Sequence, residues 1–353
     1  MMAGSKNSKV LADAARDPTV RTAASAAVAA GGAVAAGKLV RDRIVERAES
    51  RRLRRYRLQP AEGAAEGVRR IARGQIDLAV ELLESADGGE LDEAIHESRK
   101  AFKRLRALVR LARDPLGDEA YRRENETFRD AGRALSSARD ARVMVDTLED
   151  LTGRYDDEIP AGGFAGLHDA LSAEAQAAHE QLEDDAAAVR GVLGTLRAAR
   201  ARVASWPLPK DQSLGLLAPG FERIYRRGRR AQRAAAEEAG TEALHELRKR
   251  AKDLWHAAQV LRPAAPKPMR KLTRRAHGLS DAVGEDHDLA VLFDGARGRA
   301  HTLQPGELEL LDALVARRRA GLQREALARG RRVYRRKPPK LASRIAAATM
   351  PSG

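Results

Sequence analysis

The sequence predicts an all-α protein built from two similar helical bundles, and three observations carry that prediction. Alanine, leucine, arginine and glutamate dominate a chain of 353 residues in which aromatics are only 3 %, a composition that favours helix over sheet. No alternating Val/Ile/Thr/Tyr run marks a strand. Finally, three sequence blocks recur in the same order at nearly constant offsets. "EGVRRIARG" (66–74) lies over "GFERIYRRG" (220–228). "HESRKAFK" from His96 lies over "HELRKRAK" from His245. "ARDARVMVDTLED" (138–150) lies over "DHDLAVLFDG" (286–295), with Arg139–Asp140 on His287–Asp288. A repeat of this length, made of helices, implies two bundles packed together.

The elements follow in order. Residues 1–55 form an N-terminal arm, partly disordered, ending in the basic lead-in "RDRIVERAESRRLRRYR" (41–57). The first repeat spans 56–205. It opens on a helix with Val68, Ile71, Ile76, Ala79, Val80 and Leu83 at helical period. "DGG" (87–89) breaks that helix, and the first His-headed helix follows, ending near "DPLG" (114–117). Helices over about 119–136 and 139–151 come next, then a long Ala-rich stretch over 165–204 with a Leu/Val stripe. The Pro-rich "WPLPKDQS" (206–213) opens the second repeat, 206–335. Its helices are "FERIYRRGRRAQRAA", the second His-headed helix with Thr241 as N-cap, and segments near 268–283, 286–297 and 306–329. Residues 336–353 read as a basic, Pro-interrupted, disordered tail.

Charge narrows the function. The formal net charge is +15, and all of it lies in residues 205–353, with 31 Lys+Arg against 16 Asp+Glu. A cationic half of that size calls for a polyanionic partner. There is no cysteine, which excludes disulfides, thiolate catalysis and Cys-ligated metals. The uncharged stretch "TAASAAVAAGGAVAAG" (22–37) is too short and too rich in Ala and Gly for a membrane span. No stable membrane insertion is expected, and the chain reads as soluble and intracellular.

The repeated helix shows what could hold the polyanion. Positions i, i+3, i+4 and i+7 share one helical face. In the first copy these are His96, Arg99, Lys100 and Lys103, extended by Arg106 and Arg110. In the second they are His245, Arg248, Lys249 and Lys252, extended by His256. The opposite face is apolar: Phe102, Leu105 and Val109 in one copy, Leu247, Ala251, Leu254, Ala258 and Leu261 in the other. A solvated helix face usually mixes signs. A row of one sign repels itself unless an anion lies on it, and here the row occurs twice in matched register. Arginine grips phosphate oxygens as a fork and lysine as a point charge. Histidine adds a ring donor, in a form that a bound anion favours. Arg70, Arg73, Arg223, Arg226, Arg227, Arg229 and Arg230, on the helices before each motif, add charge.

These paired "HxxRKxxKRLR" and "HxLRKxxK" helices, with the "RD"/"HD" blocks and "YRRGRR", resemble the CHAD domain, the conserved histidine α-helical domain. The resemblance covers roughly residues 56–335. It implies two four-helix bundles related by a pseudo-two-fold axis, inorganic polyphosphate bound in a central basic groove, and a cytoplasmic protein associated with polyphosphate granules. Carried over, the ligand-facing residues are His96, Arg99, Lys100, Lys103 and Arg106 with His245, Arg248, Lys249 and Lys252. The copies differ in places: Arg106 is matched by Trp255, and Arg104 by Asp253. Many relatives carry a fused CYTH triphosphate-processing domain; no such pattern precedes the core here, so the copy reads as stand-alone.

Rival readings rest on the same residues. "HD" at His287–Asp288, with His277 nearby, is similar to a metal-dependent phosphohydrolase motif, but the first repeat puts Arg139 at the matching place and arginine does not ligate cations. "HE" at 96–97 and 245–246 is similar to a phospho-accepting histidine box, but the downstream proline is missing and no ATP-binding domain or Gly-rich phosphate loop follows; "HESRK" and "HELRK" also lack the second histidine of a metalloprotease. Nucleic acid is the serious rival, because phosphate contacts alone support non-specific binding. It would be served by aromatics for stacking, which the motif faces lack except at Trp255. The expectation is therefore a non-catalytic polyphosphate-binding protein without metal or cofactor, with nucleic acid as a secondary partner.

Overall fold

The computed structural model describes residues 56–347, except 60–61, 87–90, 136, 185, 211–212 and 239. The expected arm (1–55) and the last residues of the tail lie outside the described residues. Within them the chain forms twelve α-helices with three short 3-10 turns and no strand. The helices are α1 (Ala64–Ser85), α2 (Leu91–Leu111), α3 (Arg113–Leu116), α4 (Asp118–Ala134), α5 (Ser137–Arg154), α6 (Ala165–Asp184), α7 (Ala186–Ala204), α8 (Ala218–Glu237), α9 (Thr241–Val260), α10 (Pro266–Arg297), α11 (Glu307–Val333) and α12 (Pro338–Ala346).

Two rings of four organise them. α1 packs on α2, α2 on α4, α4 on α7 and α7 back on α1. In the second half, α8 packs on α9, α9 on α10, α10 on α11 and α11 on α8. The His-headed helices, α2 and α9, also touch each other and join the halves. The stripes read from the sequence are what they bury. Phe102, Leu105 and Val109, and likewise Leu247, Ala251, Leu254, Ala258 and Leu261, are all inaccessible or nearly so. Each large apolar side chain so placed contributes about 1.5–3 kcal/mol. The buried apolar residues of both halves form one continuous cluster.

Three expectations need correction. The segments read near 268–283 and 286–297 are one uninterrupted helix, α10, roughly 48 Å long by its 32 residues. The Ala-rich stretch over 165–204 supplies α6 and α7. α5 and α6 pair as a hairpin, and α5 leaves the first ring to pack on α10. The hairpin's turn is fastened to the second half, since the Phe164 amide donates to Glu307 Oε1 at 2.8 Å. The tail expected to be disordered contains α12, whose Leu341, Ala342 and Ile345 are buried against α8. Pro338 and Pro339 do not break it, because proline is tolerated in a helix's first turn. Thr241, expected as an N-cap, is instead the first helical residue after Gly240; its hydroxyl accepts from Arg319.

The halves also meet where α8 begins. Gly220 lies so close to the Leu111 carbonyl that an added Cβ would overlap it. Gly220→Ala is expected to force the two halves apart locally and lower stability by about 1–3 kcal/mol, the range for overpacking. Urea unfolding of the two proteins checks this.

Candidate functional site

The two cationic rows converge where α2 crosses α9. Lys103 is exposed on α2, and Lys252 faces it from α9, half-buried. Burial, together with the neighbouring charges of Arg248 and Lys103, pushes the Lys252 amine down to about 8. His256, one turn further on, is buried. Its burial, helped by Arg104, Lys252, Lys103 and Arg110, holds the ring well below the usual imidazole range, so it is neutral.

Beyond the crossing the rows behave differently. Arg99 donates to the Leu135 carbonyl at 3.1 Å and so closes the C-terminal end of α4. Lys100 pairs with buried Glu97 at 2.7 Å. His96 is half-buried at the head of the row. On α9, Arg248 lies 3.5 Å from Asp288 of α10, an ion pair between helices. Lys249 is exposed, 4.0 Å from Glu246. The His245 ring stacks obliquely on His287, with centroids 4.6 Å apart. Burial lowers the pKa of both rings. For His245 the charge of Lys249 comes next, and for His287 that of Arg248. His245 Nδ1, His287 Nδ1 and Arg248 Nε are buried without a hydrogen-bond partner among the described residues. Buried polar atoms of this kind are costly unless water or a ligand reaches them.

The remaining arginines divide. Arg106 donates to Asn125 Oδ1 at 3.4 Å, and burial beside Arg110 lowers its pKa to about 10. Arg223 and Arg227 enter a narrow cleft with Arg110, Arg113 and Arg250. Arg223 makes a two-pronged pair with Asp114, both contacts at 2.9 Å. Burial and the nearby Arg250 depress Arg227. Arg70 is held by Glu62 and the Arg57 carbonyl. Arg73, Arg226 and Arg230 are exposed, Arg226 pairing with Glu222 on its own helix. Arg250 was not singled out from the sequence, because it lies off the i, i+3, i+4, i+7 face; only the fold brings it to Arg110.

The mismatches between the copies lie at the crossing itself. Asp253 is buried and accepts from Arg110 at 2.7 Å and from Arg250 at 2.8 Å. Arg104, its counterpart in the first copy, is fully buried and donates to Gln75 at 3.5 Å. The Tyr56 hydroxyl donates to the Arg104 carbonyl at 2.8 Å, and its ring meets His256 edge-on. Leu58 completes the seam through its amide, 3.1 Å from the Val260 carbonyl. Trp255 packs between His256 and His277, each ring centroid 4.5 Å away.

Among the described residues, no group of three or more His, Asp or Glu is placed to hold a metal ion, and no helix is long and apolar enough to cross a membrane. The Arg139 and Asp140 side chains lie outside what the structure describes.

Comparison with known proteins gives two results and one blank. The family model of the CHAD domain matches residues 70–297. The crystal structure of the CHAD domain from the plant Ricinus communis is similar in fold, with a TM-score of 0.52 at 18 % identity, covering 84 % of this chain and 97 % of that one. Among curated proteins nothing matches.

Proposed function

The chain belongs to the CHAD domain family, and from that premise we propose that it binds inorganic polyphosphate, without turning it over, along the groove where α2 crosses α9. The observation that carries the reading is the crossing itself: Lys252 of α9, half-buried, is depressed by its burial and then by the charges of Arg248 and of Lys103 from the other half. Such a site is destabilised when empty and relieved by an anion. The flanking His96, Lys100, Arg248 and Lys249 extend the charge along both helices, which suits a chain of phosphates better than one. Trp255, the one aromatic residue of the row, is partly buried and already in contact with two histidine rings, which supports polyphosphate over nucleic acid. Association with polyphosphate granules would follow from such binding.

The test is a competition. Labelled polyphosphate is bound at near-physiological salt, then challenged with unlabelled polyphosphate, single-stranded DNA or duplex DNA at equal phosphate concentration. A parallel set contains EDTA, and released orthophosphate is assayed throughout. The expected result is displacement by polyphosphate at far lower concentration than by DNA, no effect of EDTA and no orthophosphate release. Equal displacement by DNA would make the surface a generic polyanion binder and sink the proposal.

Lys252 adds a pH signature. In the free protein its amine loses its proton at about pH 8. A bound polyanion favours the charged form, so the complex keeps that proton to higher pH and binding takes up protons above about pH 8. Affinity is therefore expected to fall as pH rises from about 8 toward the ordinary lysine range near 10.4. Lys252→Arg, charged throughout, is expected to flatten that fall. Calorimetry in two buffers of different ionisation enthalpy measures the proton uptake directly.

A further inference from the structure

A second cationic cleft lies on the outer side of the second ring, where α8, the N-terminal part of α10, the end of α11 and α12 meet. Its volume is about 50 Å³, and Lys271, Arg275, Arg332, Arg335 and Arg336 line it. Among the described residues no acidic one lines it, and the sequence shows why. Residues 254–280 and 326–347 contain no Asp or Glu, and the fold brings these two acid-free segments together. Along the unbroken α10, Arg275 lies six residues, roughly 9 Å by the helical rise, from Asp281, whose charge reaches Lys252, and it stands on a different face of the helix, so this cleft opens away from the groove.

The cleft is built rather than incidental. The buried Tyr225 hydroxyl donates to the Val333 carbonyl at 2.9 Å and accepts from the Arg336 amide at 3.1 Å. Arg275 donates to the Arg332 carbonyl at 3.3 Å, and Arg229 to the Arg336 carbonyl at 3.4 Å. These bonds fix the turn between α11 and α12, and with it the places of Arg332, Arg335 and Arg336. Burial, then the charges of Arg335, Arg332, Arg274 and Arg336, depress Arg275. All those neighbouring charges are positive. A cluster of one sign held in place by the backbone stores repulsion that an anion relieves.

We propose that this cleft is a second phosphate-binding site, taking a short run of phosphates from an inorganic polyphosphate chain independently of the groove. Guanidinium forks match phosphate oxygens, and four of them with one lysine line this small cleft. Its one aromatic ring, Tyr225, is buried and presents no stacking face.

The experiment uses the full chain and tripolyphosphate, which is too short to span the two sites. Isothermal titration is expected to give two sites per chain. Lys271→Gln/Arg332→Gln/Arg335→Gln, at exposed side chains, is expected to leave one, and Lys103→Gln/Lys252→Gln is expected to leave the other. Circular dichroism confirms that each variant is folded. A single site whose stoichiometry is unchanged in the triple variant overturns the proposal, whatever the groove variant does. Failure of the groove variant alone overturns only the groove. A cleft occupied by duplex DNA or by phosphatidylglycerol vesicles, and not displaced by tripolyphosphate, also overturns it.

Discussion

Lys103→Glu combined with Lys252→Glu is expected to weaken polyphosphate binding in the groove at least a hundredfold while leaving helicity unchanged. Contacts from a charged group are worth about 1.5–3 kcal/mol each, and about 1.4 kcal/mol is a factor of ten. Reversal adds repulsion to the loss of both. The two lysines make a cleaner test than the arginines beside them. Arg99 holds the end of α4 through the Leu135 carbonyl and Arg248 stands against Asp288, so changing either perturbs packing as well as charge. Fluorescence anisotropy with a labelled chain reads the affinity, and titration at several salt concentrations gives the slope. The slope should shrink in the variant, because fewer counterions are released. Wild-type affinity in the double variant would remove the groove from consideration.

Asp253→Asn is expected to destabilise the whole fold, by about 3–5 kcal/mol, the cost of breaking a buried ion pair from one side. Arg110 reaches Asp253 across the junction of the halves and Arg250 reaches it along α9. Without the carboxylate, two guanidinium groups are left uncompensated beside Arg227, already depressed by burial and by Arg250. Urea unfolding measures the loss. A companion variant, Arg110→Leu/Arg250→Leu/Asp253→Leu, should recover most of it, since apolar side chains of similar size often replace a buried charge cluster at little cost. A cost below about 1 kcal/mol for Asp253→Asn would place the triad among weak surface pairs.

Much of this architecture was legible in the sequence, and the reasons are local. The stripes of α2 and α9 read correctly because a helix that buries one face in a ring must repeat its apolar residues every three or four positions. The two His-headed rows were legible because the motif occurs twice in one register. The length of α10 was not. That helix packs on α9 and α11 and also receives α5, so its apolar face turns along its length and no single stripe runs through it. α12 was hidden by its prolines and its charge, although Leu341, Ala342 and Ile345 are its anchor. The roles of Arg104 and Asp253 were the least legible. As mismatches between copies they looked like defects of the motif, yet a contact between two similar helices needs unlike residues if opposite charges are to meet across it. Arg250 and the acid-free cleft were invisible for a related reason: both arise from segments far apart in the chain.

The seam closed by Tyr56 and Leu58 bears on how the chain comes off the ribosome. All four helices of the first ring have been synthesised once residue 204 has emerged, and domains tend to fold in that order. Tyr56 and Leu58 precede that ring in sequence, but two of their partners, His256 and Val260, are made some two hundred residues later. The earliest-made of the described residues therefore complete their contacts only when the second half is present. Until then the seam lacks its second side, and a nascent chain halted between residues 204 and 260 is the form most exposed to pairing with the wrong partner.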